Sequence, residues 1–133
     1  KTEEIVSYLE RILSNSISVF DTRIQDGQKE NAYHTLLVGL LAGNDNWLVK
    51  SNVEAGEGFA DIIVETEKPD SGMILELKYS RTFAGMVKAC EMAISQIRDR
   101  RYGEYLENDG RNKILIYGIA FCKKKCKVLM ERL

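Results

Sequence analysis

Two apolar runs set close together, Gly58-Phe59-Ala60-Asp61-Ile62-Ile63-Val64 and Met73-Ile74-Leu75-Glu76-Leu77-Lys78-Tyr79, constrain the fold of this chain more than any other segment. Both read as β-strands, and Lys68-Pro69-Asp70-Ser71-Gly72 between them has the composition of a turn joining antiparallel partners. Three charged residues, Asp61, Glu76 and Lys78, interrupt the apolar pattern. Taking a carboxylate or an ammonium out of water costs several kcal/mol unless a partner compensates, so these three groups require a physical explanation.

Strand alternation sharpens the requirement. Successive side chains point to opposite faces, so Glu76 and Lys78 share one face while Leu75, Leu77 and Tyr79 share the other. Pairing of the two runs as a hairpin brings Asp61 toward that same face, and two carboxylates then meet one lysine in a small volume. Taken alone, this pattern has a plain reading as an ion pair at a sheet edge, with Lys78 neutralising a carboxylate. It also has a chemical reading, a site for a hard divalent cation. Mg²⁺ or Mn²⁺ takes oxygen ligands, often one or two protein carboxylates completed by water and substrate phosphate.

Periodicity places the other elements. Apolar residues at Ile5, Leu9, Ile12, Leu13, Ile17 and Phe20 predict a first helix over 2–20. A second helix over 28–41 turns Ala32, Leu36, Leu37, Leu40 and Leu41 inward, carries Glu30 and His34 on one stripe, and ends at Ala42-Gly43-Asn44. Strands are expected over 47–52, 60–65 and 73–79 as an antiparallel meander. A helix over 83–100 follows, with Val87, Cys90, Ala93, Ile94 and Ile97 on its inner side. Strands over 113–121 and 127–130 close the chain. A helix between the third and fourth strands is the crossover that makes them parallel, so the expectation is an α/β fold in the order α-α-β-β-β-α-β-β. Its mixed sheet of four or five strands is flanked by helices.

Composition bounds the class. The 133 residues suffice for one domain over 1–133, with ordinary apolar (44%) and charged (29%) content and no apolar run long enough to span a bilayer. Nothing at Lys1 resembles a signal peptide, so the expectation is a cytoplasmic domain cut from a longer chain, with no membrane partner. A net charge of −1 supplies no global attraction to phosphate. Local basic clusters at Arg98, Arg100 and Arg101 and at Lys123 to Lys125 with Lys127 offer a backbone track or simply solvated surface. Cys90, Cys122 and Cys126 form neither a disulfide framework nor a zinc set, because no second Cys or His pair completes a tetrahedron. Gly56-x-Gly58 lacks the helix start of a nucleotide-binding loop and reads as a turn, so no nucleotide cofactor is expected.

The Asp…Glu-x-Lys arrangement on consecutive strands resembles the PD-(D/E)XK nuclease superfamily. Within it, the chain is similar to the nuclease-like domain at the C-terminal end of bacterial AAA-ATPase-like proteins. The resemblance runs through Glu30, His34, Ser51-Asn52-Val53-Glu54, Gly56-Glu57-Gly58, Asp61, Glu76-Leu77-Lys78, Ala93-Ile94-Ser95-Gln96-Ile97, Tyr102 and Gly118-Ile119-Ala120-Phe121. One departure is Phe59, where the family usually has Arg.

The resemblance implies a restriction-endonuclease-like core and metal-dependent hydrolysis of nucleic acid, DNA before RNA. Asp61, Glu76, the backbone carbonyl of Leu77 and, through water, Glu30 would hold Mg²⁺ or Mn²⁺. Lys78 would orient the attacking water, and Gln96 would reach the site from the crossover helix. Tyr102 would steady the helix end or touch substrate, with half-buried packing as its plainer role. His34 reads as a structural, hydrogen-bonded residue, and Glu54 as an acid at the site mouth or a turn residue. An ATPase-like domain of the same protein, and a second copy of the chain, are the implied protein partners. The rival reading is a nuclease-fold module that binds or regulates without cutting, and a third is a purely structural domain that ignores divalent cations.

Overall fold

The computed structural model describes residues 2–15 and 26–133. The elements are α1 (Thr2–Asn15), α2 (Asp26–Ala42), β1 (Leu48–Ala55), β2 (Gly58–Glu65), β3 (Ser71–Tyr79), α3 (Met86–Asp99), α4 (Glu104–Glu107), β4 (Lys113–Cys122) and β5 (Lys125–Arg132). The expected extension of the first helix through Ile17 and Phe20 lies outside the described residues. The five strands lie in the order β1-β2-β3-β4-β5, all antiparallel neighbours except β3 and β4, which run parallel. This is the mixed α/β sheet anticipated from the pattern of runs. Parallel pairing follows from the crossover through α3, which carries the chain from the end of β3 back to its start. The last strand is longer than the four residues expected, and α4 is an added turn that the apolar periodicity did not signal. Among the described residues no helix is long and apolar enough to cross a membrane.

Each sheet face has its own core. On one face Ile62, Val64, Leu75, Leu77, Tyr117, Ile119 and Phe121 meet Leu9 and Leu13 of α1 and Tyr33 and Leu37 of α2. On the other, Ile63, Ile74, Ile114 and Ile116 meet Ile94 and Ile97 of α3, with Tyr102 and Leu106 beyond it. The buried stripe of α3 is Met86, Cys90, Ala93, Ile94 and Ile97. Val87 was expected on that stripe and instead is 56% exposed. The helix begins at Met86, and one residue further along is a rotation of roughly 100°, which turns Val87 to solvent.

Two glycines allow backbones to meet. A Cβ on Gly118 of β4 would stand 2.4 Å from the Cys90 carbonyl oxygen, so its absence lets α3 lie directly on the sheet. Gly56, at φ 51°, turns β1 into β2 against the end of α3, where the Glu57 amide donates to the Arg100 carbonyl at 2.8 Å.

The ladder between β2 and β3 runs from Glu65 opposite Gly72 to Ile62 opposite Leu75 and stops there. Ile62 and Val64 face α1 and α2, whereas Ala60, two residues before Ile62, belongs to the core under α3. Strand β2 therefore changes face at Asp61. Its neighbour β1 does so too at Asn52, which sits between the pairs Ser51↔Ile62 and Val53↔Ala60 with φ 52°, a conformation Asn tolerates better than most residues. The coordinated switch opens the sheet where the charged residues lie.

Candidate active site

Where β2 and β3 part, each strand's carboxylate binds the backbone of the other. The Asp61 amide donates to Glu76 Oε1 at 3.1 Å, and the Leu77 amide donates to Asp61 Oδ2 at 2.8 Å. These two charge-assisted bonds replace the ladder bonds that the split removes. The second oxygens, Asp61 Oδ1 and Glu76 Oε2, make no hydrogen bond among the described residues.

Glu76 is only 3% exposed. Burial first, and the Asp61 charge second, push its carboxyl up to about 8, with Glu30 adding a lesser share. The hydrogen bond from Asp61 and the charge of Lys78 pull the other way and do not prevail. At neutral pH Glu76 thus favours taking up a positive charge, either a proton or a cation.

Lys78, which shares the Glu76 face as alternation requires, does not neutralise either acid. Its Nζ donates to Gln96 Oε1 on α3 at 2.7 Å, and no salt bridge joins it to Asp61 or Glu76. The edge ion-pair reading of the trio is therefore overturned: burial of Glu76 in the middle of the sheet and the reach of Gln96 give the lysine a neutral partner. Gln96 Nε2 in turn donates to the Tyr102 hydroxyl at 3.1 Å.

The donors present suit a hard cation. Asp61 and Glu76 offer carboxylate oxygens, while all three cysteines are buried elsewhere as free thiols. Among the described residues no group of three or more His, Cys, Asp or Glu side chains gathers closely enough to form an all-protein metal cage. A pair of acids fits Mg²⁺ or Mn²⁺, which keep several waters, and does not fit a tetrahedral zinc site.

Comparison with family profiles decides the lineage: the model of the PD-(D/E)XK nuclease superfamily matches residues 28–131. The chain belongs to the PD-(D/E)XK nuclease superfamily. A comparison with curated proteins returned no match. Nucleases of this superfamily generally use divalent metals, in keeping with the oxygen donors just described.

Placed on this PD-(D/E)XK core, the expected residues divide into two groups. Asp61, Glu76, Lys78 and Gln96 come together through direct contacts or a shared strand face. Leu77 contributes its amide to Asp61, a contact that strand alternation did not foretell. Glu30 is half-buried on α2, near enough to raise Glu76 but outside any three-acid cluster. His34 Nε2 pairs with Ser51 Oγ at 2.7 Å, holding α2 to β1. Glu54 is exposed on β1 opposite Phe59, so it is a strand residue and not part of a turn. Phe59 itself is 64% exposed.

One correction concerns the helix end. Tyr102 is 1% exposed, neither half-buried nor open to substrate, because Ile63, Ile74, Ile94 and Ile97 enclose it. Of the neighbouring basic residues, Arg98 pairs with Glu131 and Arg101 with Glu57 and Glu104, which leaves Arg100 as the one arginine of the three without an ion pair among the described residues. The feature that sequence reasoning missed is the face switch at Asn52 and Asp61; its sole trace in the sequence is an Asn at a position that needs positive φ.

Proposed function

We propose that this domain hydrolyses phosphodiester bonds of DNA with Mg²⁺ or Mn²⁺. The observation that carries the reading is the pairing of Asp61 and Glu76 across the strand split, with a Glu76 carboxyl raised to about 8, beside a lysine held by a neutral amide. Asp61 and Glu76 would hold the ion through their second oxygens, with the Leu77 carbonyl and, by way of water, Glu30 completing the protein's share. A bound divalent ion polarises a phosphoryl oxygen and lowers the pKa of water.

The chain's own residues supply the rest. A lysine partnered by an uncharged glutamine keeps its full positive charge available, so Lys78 can orient the attacking water and offset charge developing on the phosphate. Gln96 fixes where that ammonium stands. Two adjacent acids in a buried setting repel each other, and a bound cation would relieve that repulsion in competition with the Glu76 proton. The proposed setting is the cytoplasm, with an attached ATPase-like domain and a second copy of the chain as protein partners.

A second reading, a module that binds nucleic acid or regulates an attached ATPase without cutting, is favoured by one observation. Phe59, exposed close to Asp61 where the resemblance expects Arg, provides no phosphate contact, and the net charge of −1 does not compensate. Incubation of supercoiled plasmid with Mg²⁺ or Mn²⁺ separates the two. Nicking by the wild type and its loss in Lys78→Ala supports the nuclease; no nicking alongside an Asp61-dependent calorimetric signal for the ion supports the module. Absence of any ion response sinks both.

A further inference from the structure

We propose that Tyr102 is a positioning residue for Lys78 and acts through the side-chain amide of Gln96. This rests on the reading of Lys78 as the amine that serves the reaction. A glutamine amide has an oxygen on one side and an NH₂ on the other, and only the oxygen can accept from an ammonium. Turned over, it would set donor against donor. Gln96 offers Oε1 to Lys78 Nζ at 2.7 Å and Nε2 to the Tyr102 hydroxyl at 3.1 Å, so the lysine fixes which end of the amide faces it and the hydroxyl holds the other end in place.

Tyr102 is suited to this task because it is anchored in the core. Its ring is buried among isoleucines of β2, β3 and α3, and its amide donates to the Ile97 carbonyl at 3.1 Å just past the helix end. Lys78, by contrast, carries its charge on a flexible four-carbon stem that many rotamers suit equally well. The chain of contacts therefore transfers the rigidity of the core to the mobile tip on β3. A tyrosine that only filled space would be replaced by phenylalanine without consequence for Lys78.

That difference supplies the test. In ¹⁵N-lysine-labelled protein, the Lys78 ammonium resonance is identified by its loss in Lys78→Met, and its hydrogen exchange is then followed. Tyr102→Phe keeps the ring and is expected to speed that exchange about tenfold and to lower kcat for plasmid cleavage by a similar factor with KM unchanged, a typical effect of removing an outer hydrogen-bond partner. Gln96→Leu, which leaves Tyr102 and its packing in place, is expected to give the same faster exchange. In a Gln96→Leu background the link between tyrosine and lysine is already broken, so Tyr102→Phe should add nothing. Unchanged Lys78 exchange in Tyr102→Phe or in Gln96→Leu, or a Tyr102→Phe effect of equal size in the Gln96→Leu background, would overturn the proposal. The exchange measurement needs no turnover, so a wild type that fails to cut plasmid defeats the nuclease reading while leaving this one to stand or fall by itself.

Discussion

Lys78 Nζ donates to Gln96 Oε1 at 2.7 Å and forms no salt bridge with Glu76, two residues earlier on the same strand face. A carboxylate that is buried, flanked by a second acid and denied its nearest cation must find positive charge elsewhere. That arrangement makes the site acidic, with no cation paired to Glu76 among the described residues.

The first consequence is a pH dependence. The Glu76 carboxyl is raised from 4.5 to about 8, so the folded chain holds a proton that the unfolded chain releases earlier. Stability from this group is fully present below about pH 4.5 and is lost as pH rises through about 8, with a slope of at most about 1.4 kcal/mol per unit. Urea unfolding in EDTA should show this decline for the wild type. Glu76→Gln should flatten it, and Asp61→Asn should shrink it by removing the neighbouring charge. Mg²⁺ should restore stability at pH 8 in the wild type alone, and a flat wild-type profile would refute the account.

Replacing the lysine separates chemistry from folding. Lys78→Met should retain the fold, since its stem is half-buried and its one polar partner is a neutral amide, with a loss of about 1 kcal/mol in thermal unfolding. Plasmid cleavage should fall by about 10²–10³-fold, the range for removing a group that stabilises developing charge. Equal losses in stability and rate would assign the residue a structural role.

Tyr33 holds α2 to the sheet. Its ring stacks on Phe121 with centroids 4.4 Å apart, and its hydroxyl donates to the Lys123 carbonyl at 2.8 Å in the turn between β4 and β5. Tyr33→Phe should cost about 1 kcal/mol through the lost hydrogen bond, and Tyr33→Ala about 3–5 kcal/mol through the cavity as well. Chemical denaturation of both variants distinguishes the two contributions.

Gly118 sets the distance between α3 and β4. A methyl group there meets the Cys90 carbonyl at 2.4 Å and the Ala93 Cβ at 3.1 Å, so Gly118→Ala should destabilise by about 1–3 kcal/mol. Because α3 carries Gln96, the same variant should also loosen Lys78 in the exchange experiment. A variant as stable as the wild type would show that the helix has room to shift.

The thiols should be silent in the folded state. Cys90, Cys122 and Cys126 are buried, and burial pushes all three up, Cys126 to about 12 with the Glu10 charge assisting. Iodoacetamide at about pH 7.5 should label none of them until denaturant is added, because the thiolate is the reactive form. Rapid labelling of the native protein would contradict the packing around β5.

Strand identity and order were legible because they depend on local pattern. The apolar alternation of 73–79 assigned Glu76 and Lys78 to one face, and a helix between two strands dictated their parallel pairing. The spacing of Cys90, Ala93, Ile94 and Ile97 located the inner side of α3, although the true start at Met86 displaced Val87 from it. Asp61, Glu76 and Lys78 stood out because charge inside an apolar strand is costly wherever it occurs. What only the tertiary structure decided was which partner each charge received. The split of β2 from β3, the capture of Lys78 by Gln96, the burial of Tyr102 and the raised Glu76 carboxyl all arise from contacts between segments distant in the chain. Periodicity reports how a residue faces its own element, whereas desolvation and hydrogen bonding depend on what the other elements bring to it.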